Sequence, residues 1–240
     1  MKKALSFLAA LCAMTLVIAC GMPYTKTDAS GEGLRLAVPL EGIWKPADVS
    51  QASFSYRLPQ FEPEHESAVL MNQYYQECVL NGFSGIFTEQ LTEVDYEVTS
   101  GEGRYLSVML RGTSEGGMGL METIHADTFA LDGIYAGKRI TLSQLLGVEQ
   151  TDAEKVLSQT VCSLIWQIVE RDIHNAEGDY PEGVSEQDIE AVIAPQNDFY
   201  LDQDGNVVFY IQSGELAGEI AGILTFPFSP TELMDTLSAK

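Results

Sequence analysis

Between Asn197 and Phe228 the chain reads NDFYLDQDGNVVFYIQSGELAGEIAGILTFPF, and this stretch constrains the fold more than any other. Phe199 and Leu201, then Val207, Phe209 and Ile211, recur at every second residue around Asp202-Gln203-Asp204-Gly205-Asn206. Alternation of that kind aims one set of side chains inward, and a polar Gly- and Asn-bearing insert favours a tight turn, so the segment predicts a β-hairpin. Tyr200, Val208 and Tyr210 make the second face apolar as well, so cover is expected on both sides. Leu224, Phe226 and Phe228 predict a third strand, which Pro227 confines to an edge or an end. The rest of the chain is expected to wrap around this sheet.

Periodicity elsewhere supplies the other elements. Ala52–Leu58 alternates and stops at Pro59 and Pro63, whereas Leu34–Pro46 is weakly patterned and offers at most a short strand. From about Glu64, a stripe of Ala68, Met71, Tyr75, Cys78, Val79, Gly82, Phe83 and Ile86 predicts a long helix, with Glu64 and Glu66 at its positive end. Glu93–Thr99 and Tyr105–Arg111 flank a Ser100-Gly101-Glu102-Gly103 turn, and Leu120–Leu131 continues the sheet. A second long helix is expected over Asp152–Ile173, a short one near Ser185–Val192, and a terminal one over Thr231–Leu237 capped by Ser229 or Thr231.

The amino-terminal end carries a different message. Lys2 and Lys3 precede an apolar run, Ala4–Ile18, too short to span a bilayer comfortably. The run ends Val17-Ile18-Ala19-Cys20, which resembles a bacterial lipobox. That resemblance implies cleavage after Ala19, a diacylglycerol on the Cys20 sulfur, and anchoring outside the cytoplasm to the outer leaflet of the cytoplasmic membrane. Residues 1–19 thus read as a lipoprotein signal peptide, 20–50 as the lipidated Cys with a tether, and 51–240 as the folded domain. Two acyl chains at about 0.8 kcal/mol per buried methylene anchor a protein stably without a spanning helix.

Charge sorts the classes of partner. The formal net charge is −22, and taking Lys2 and Lys3 from the 13 Lys and Arg leaves 11 against 35 acids, or −24. Such a surface repels nucleic acid and anionic headgroups and attracts cationic proteins. Glu170–Glu190 concentrates the acids, and Glu177, Asp179 and Glu182 are the candidate binding residues on a loop there. A solvated loop is the plainer reading of such a charge run.

Motifs of catalysis or metal binding fail on context. Gly112-Thr113-Ser114-Glu115-Gly116 fits the G-x-S-x-G pattern, but Gly117-Met118-Gly119 and another strand follow where a nucleophile elbow needs a helix. His65-Glu66 lacks the second zincin histidine, Val69 standing there, and Asp202-x-Asp204-Gly205 lacks the closing Glu of a calcium loop. His125 and His174 have no motif neighbours. No cofactor, no metal and no enzymatic activity are expected. Cys78 and Cys162 sit on the two predicted long helices, and either a disulfide between them or two buried thiols fits an oxidising compartment.

Tyr74–Phe87, Tyr105–Leu110, Gly116-Gly117, the run Gly137-Lys138-Arg139-Ile140-Thr141-Leu142-Ser143-Gln144-Leu145, and Phe199–Leu233 together resemble one known domain. It is the extracytoplasmic domain of RsiV-type anti-sigma factors, also found in PdaC-type deacetylases. The likeness runs over roughly Gln51–Leu237 and rests on the order of these pieces. It implies an α+β fold, with an antiparallel β-sheet packed by two long helices, and a non-catalytic binding role, lysozyme being the ligand of the RsiV type. The family's histidine after the Gly-Gly pair is Gly119 here, and Gly133, preceded by Asp132, stands where the family has an Asp. The RsiV-type transmembrane helix and sigma-binding segment have no counterpart, so a binding lipoprotein is expected and an anti-sigma role is not. The alternatives are a module binding peptidoglycan through aromatics such as Trp44, Tyr180 or Tyr200, or a serine hydrolase using Ser114.

Overall fold

The structure, a computed structural model, describes residues 34–46, 52–87, 91–101, 103–116 and 119–239. The expected signal peptide, Cys20 and most of the tether lie outside these residues.

Two sheets form, not one. The larger has five strands in the order β1 (Leu40–Trp44), β2 (Phe54–Leu58), β3 (Leu91–Ser100), β4 (Tyr105–Gly116) and β5 (Gly119–Ala130). All its neighbours are antiparallel except β2 and β3, which run parallel. The smaller sheet is the predicted hairpin with its third strand, β6 (Phe199–Leu201), β7 (Val207–Ile211) and β8 (Leu224–Phe228), with β7 in the centre. Every residue of β7 is buried, and Pro227 lies on an edge strand, as the alternation and the proline required. The Asn197–Phe228 stretch is nevertheless not the hub of the chain, because β3, β4 and β5 build a longer sheet with a core of its own.

Parity along the strands explains the layers. One face of the large sheet, with Val94, Leu106, Val108, Leu110 and Phe129, packs on helix α1 (Glu66–Leu80) through Ala68, Met71 and Tyr75. The opposite face of β4 and β5 presents Met109, Ile124 and Ala126 to Tyr210 of the small sheet. The far face of the small sheet, with Phe199, Phe209, Phe226 and Phe228, packs on α3 (Thr151–His174) through Leu157, Val161, Ile165 and Val169. The order is helix, sheet, sheet, helix. Each fully buried large apolar side chain contributes about 1.5–3 kcal/mol, so both cores matter.

The short elements follow their chemistry. Thr141 and Gln144 form a capping box on α2 (Leu142–Leu146), Ser185 and Asp188 do the same for α4 (Glu186–Val192), and the Ser229 hydroxyl accepts from Glu232 N–H at the start of α5 (Pro230–Ser238). The first long helix is shorter than its apolar stripe. It ends at Leu80, because Gly82 and Phe83 take φ of 59° and 58° and Phe83 N–H returns to Cys78 O at 2.8 Å. A Cβ at Gly82 would stand 2.2 Å from the Trp44 ring, so close packing also favours the glycine.

The layer order decides between the two readings open for the cysteines. Cys78 belongs to the α1 core and Cys162 to the α3 core, with both sheets between them, and both are free buried thiols. Packed sheets alone are about 10 Å apart, beyond the roughly 7 Å that a disulfide allows between Cα atoms. Burial pushes each thiol up to about 11.

Candidate functional site

A groove of about 730 Å³ lies where the outer half of the β4–β5 hairpin meets the segment joining β7 to β8. Its floor includes Met109, Ile124 and Tyr200, and Leu120 and Ile220, 74% and 92% exposed, stand at its lips. Arg111 and Glu122 line it from the hairpin and Glu219 from the facing segment. Arg111 is committed: one terminal nitrogen donates to Glu122 Oε1 at 2.6 Å and the other to Glu97 Oε2 at 3.1 Å. The guanidinium charge is thereby offset by two carboxylates, and Glu219 adds a third acid.

The acidic loop between α3 and α4 reaches the same region. Gly218 N–H, in the segment that walls the groove, donates to Asp179 O at 3.0 Å. Gly218 has no side chain to spare there, since an added Cβ would meet Asp179 Oδ2 at 2.4 Å. Glu177, Asp179 and Glu182 are all exposed, and the backbone of Asp179 is tied to the segment that walls the groove. This attachment was not legible in the sequence, because Asp179 and Gly218 are far apart in the chain and share no motif.

Other candidate residues divide clearly. Ser114 is 5% exposed in mid-strand, paired across to Leu91 and Met121, which is not the turn before a helix that a nucleophile elbow needs. Trp44 stacks on Phe54 with centroids 5.1 Å apart, and Tyr180 packs against the α3 core, whereas Tyr200 lines the groove. Asp202 Oδ1 accepts from Asp204 N–H and Asn206 N–H, so this acid closes the β6–β7 turn as a hairpin turn residue does. Among the described residues no group of three or more His, Cys, Asp and Glu side chains is placed to hold a metal ion. None of the described helices is long and apolar enough to cross a membrane.

One cluster went unnoticed in the sequence. Asp127 on β5 is wholly buried, and its Oδ1 meets Arg139 Nε at 2.6 Å, His125 Nε2 at 3.0 Å and Tyr74 Oη at 3.0 Å, while Tyr75 Oη donates to Oδ2 at 3.4 Å. Burial by itself would raise this carboxyl, but the bond from His125 and the charge of Arg139 outweigh it and hold the group below the ordinary range. The same burial pushes Tyr74 and Tyr75 well up, keeping both phenols protonated as donors. The cluster fastens α1, β5 and the segment before α2 to one another. It explains Tyr74 and Arg139 in the pieces that carried the family resemblance.

No family model matches the chain, and no curated protein does. Among solved structures, a member of the DUF3298 family from Bacteroides fragilis is similar at 11% identity, with a TM-score of 0.46, covering 90% of this chain and 100% of that one.

Proposed function

We propose that this chain is a lipoprotein anchored outside the cytoplasm through Cys20, and that its domain binds a cationic, envelope-directed protein without catalysing a reaction. Lysozyme is the first candidate, from the resemblance to the RsiV-type domain. The observation that carries the reading is the hydrogen bond between Gly218 and Asp179, which ties the loop bearing the exposed acids Glu177, Asp179 and Glu182 to the segment that walls an apolar groove. Acids at the rim steer a basic protein and raise its on-rate, while an apolar groove supplies contact that salt does not screen. The buried Ser114 hydroxyl is a poor nucleophile candidate, which favours binding over hydrolysis.

The test is calorimetric titration of the full chain with lysozyme, at low and at physiological salt, with lysozyme activity followed in parallel. Saturable binding that persists at physiological salt and lowers activity is expected. Binding that vanishes with modest salt would reduce the interaction to charge attraction. A Cys20→Ser chain is expected to leave the membrane fraction on cell fractionation. A second reading, a peptidoglycan-binding module, is favoured by Tyr200, the one candidate aromatic that lines the groove. It predicts salt-tolerant binding of glycan fragments that Tyr200→Ala abolishes.

A further inference from the structure

Strand β5 is the outer strand of the large sheet, and the bonds along its free edge reveal which residues face outward. Ile124 N–H donates to Gln212 Oε1 at 3.1 Å and Ile124 O accepts from Gln212 Nε2 at 2.7 Å, so one side-chain amide imitates a neighbouring strand. Ala126 N–H donates to Tyr210 Oη at 3.2 Å, Thr128 O accepts from Ile140 N–H at 2.8 Å, and Ala130 N–H donates to Lys138 O at 3.1 Å. Even-numbered residues therefore turn their backbone groups away from β4. The β4–β5 register is unbroken to Gly119, so the same alternation turns the N–H and C=O of Leu120 and Glu122 outward. No partner among the described residues meets those groups, and they border the groove.

The small sheet treats its own edge differently. Tyr210 N–H faces Asp198 O at 3.4 Å on the β6 side, so Val207, Phe209 and Ile211 face β8, and Thr225 and Pro227 of β8 face away. Pro227 places a residue with no N–H at an outward position, a common way of blunting an edge. On β5 the edge is capped from Ile124 to Ala130 and open at Leu120 and Glu122.

We infer that this open edge takes an extended segment of the basic protein partner by strand addition, with alternate side chains of the segment entering the groove. This rests on the reading of a cationic protein partner and adds how it is held. Main-chain hydrogen bonds to Leu120 and Glu122 set the register, and period-two alternation sorts the incoming side chains. Leu120, Glu122 and Ile124 share one face of β5, so the side chains that enter the groove meet Met109, Tyr200 and Ile220 together with the acids Glu122 and Glu219. Those positions of the occupant carry apolar and basic side chains, and its alternate positions turn to the opposite face of the sheet. The occupant is thus an extended stretch of apolar and basic residues.

The probe is a valine–lysine peptide of about eight residues, roughly one strand long, in the repeat Val-Val-Lys-Lys, which places both residue types on each face. Its control is a copy N-methylated throughout, which keeps every charge and side chain and has no N–H to donate. Both are titrated into the full chain at physiological salt by calorimetry, with amide hydrogen exchange followed at Leu120 and Glu122. The plain peptide is expected to bind saturably and slow exchange at both amides. The methylated copy, and a Leu120→Pro chain with unchanged melting and circular dichroism, should bind at least about tenfold more weakly, and Leu120→Ala, which loses the same side chain at the lip but keeps the N–H, should lose clearly less than Leu120→Pro. Equal binding of the two peptides would overturn strand addition in favour of charge attraction. Lysozyme binding equally to the parent and Leu120→Pro chains, with no binding of the peptide, would overturn strand addition and leave the cationic-partner reading standing. Absence of binding by both lysozyme and peptide would remove both. A dimer of the chain that Leu120→Pro breaks in sedimentation would make a second copy the occupant and overturn the basic one.

Discussion

Arg139 Nε donates to Asp127 Oδ1 at 2.6 Å, and this contact ties the turn after β5 to the middle of β5 itself. Asp127 has no exposure, while the Arg139 side chain keeps 37%, and its guanidinium lies over the Tyr74 ring at 5.6 Å. Removing the cation strands a carboxylate in the core, which typically costs about 3–5 kcal/mol. The half-exposed arginine places Arg139→Met toward the lower end, at about 3 kcal/mol. Urea unfolding should show this loss, and pairing it with Asp127→Asn should cost clearly less than the two single changes added together.

The same carboxyl makes stability depend on acid. Its value is held below the ordinary one in the folded chain, so the unfolded chain binds the proton first as pH falls. The contribution is complete above about pH 4 and is lost as pH drops through the folded value. Asp198 acts in the opposite sense, because burial raises its carboxyl and its protonation then favours the fold. Urea midpoints measured from neutral to strongly acid pH should therefore fall less steeply in Asp127→Asn than in the parent. An equal slope in the two chains would remove Asp127 from the account.

Gly137 supplies a backbone test. Its φ is 74°, and an added Cβ would stand 2.8 Å from Ser67 Cα, a backbone atom of α1 that cannot step aside. Gly103 has a similar φ of 69° with open space around it. Gly103→Ala should cost the left-handed strain alone, about 1 kcal/mol, and Gly137→Ala at least about 2 kcal/mol. Similar thermal unfolding of the two variants would show that α1 yields to the added methyl.

The thiols of Cys78 and Cys162 should be silent in the native chain. Both are buried and pushed up to about 11, so almost no thiolate is present at neutral pH. Peptide mapping after alkylation should find both labelled in denaturant and neither labelled natively, with no peptide linking the two under oxidising conditions.

The sequence by itself determined the elements. Alternation located β6, β7 and β8, helical spacing located α1 and α3, and Ser229 marked the start of α5, because these signals are local and repeat within a few residues, whereas the five-residue α2 is too short to show a period. Pro227 even announced its edge. Where α1 ends was misjudged, because the apolar stripe continues to Ile86 while the φ values of Gly82 and Phe83 end the helix at Leu80. The tertiary structure alone decided that two sheets stack face to face, which separates Cys78 from Cys162 and gives each helix its own core. It also brought Asp127 to Arg139, Gly218 to Asp179 and Gln212 to Ile124. Each of those pairs depends on which face of which strand a residue takes once the chain has closed, and no periodicity records that.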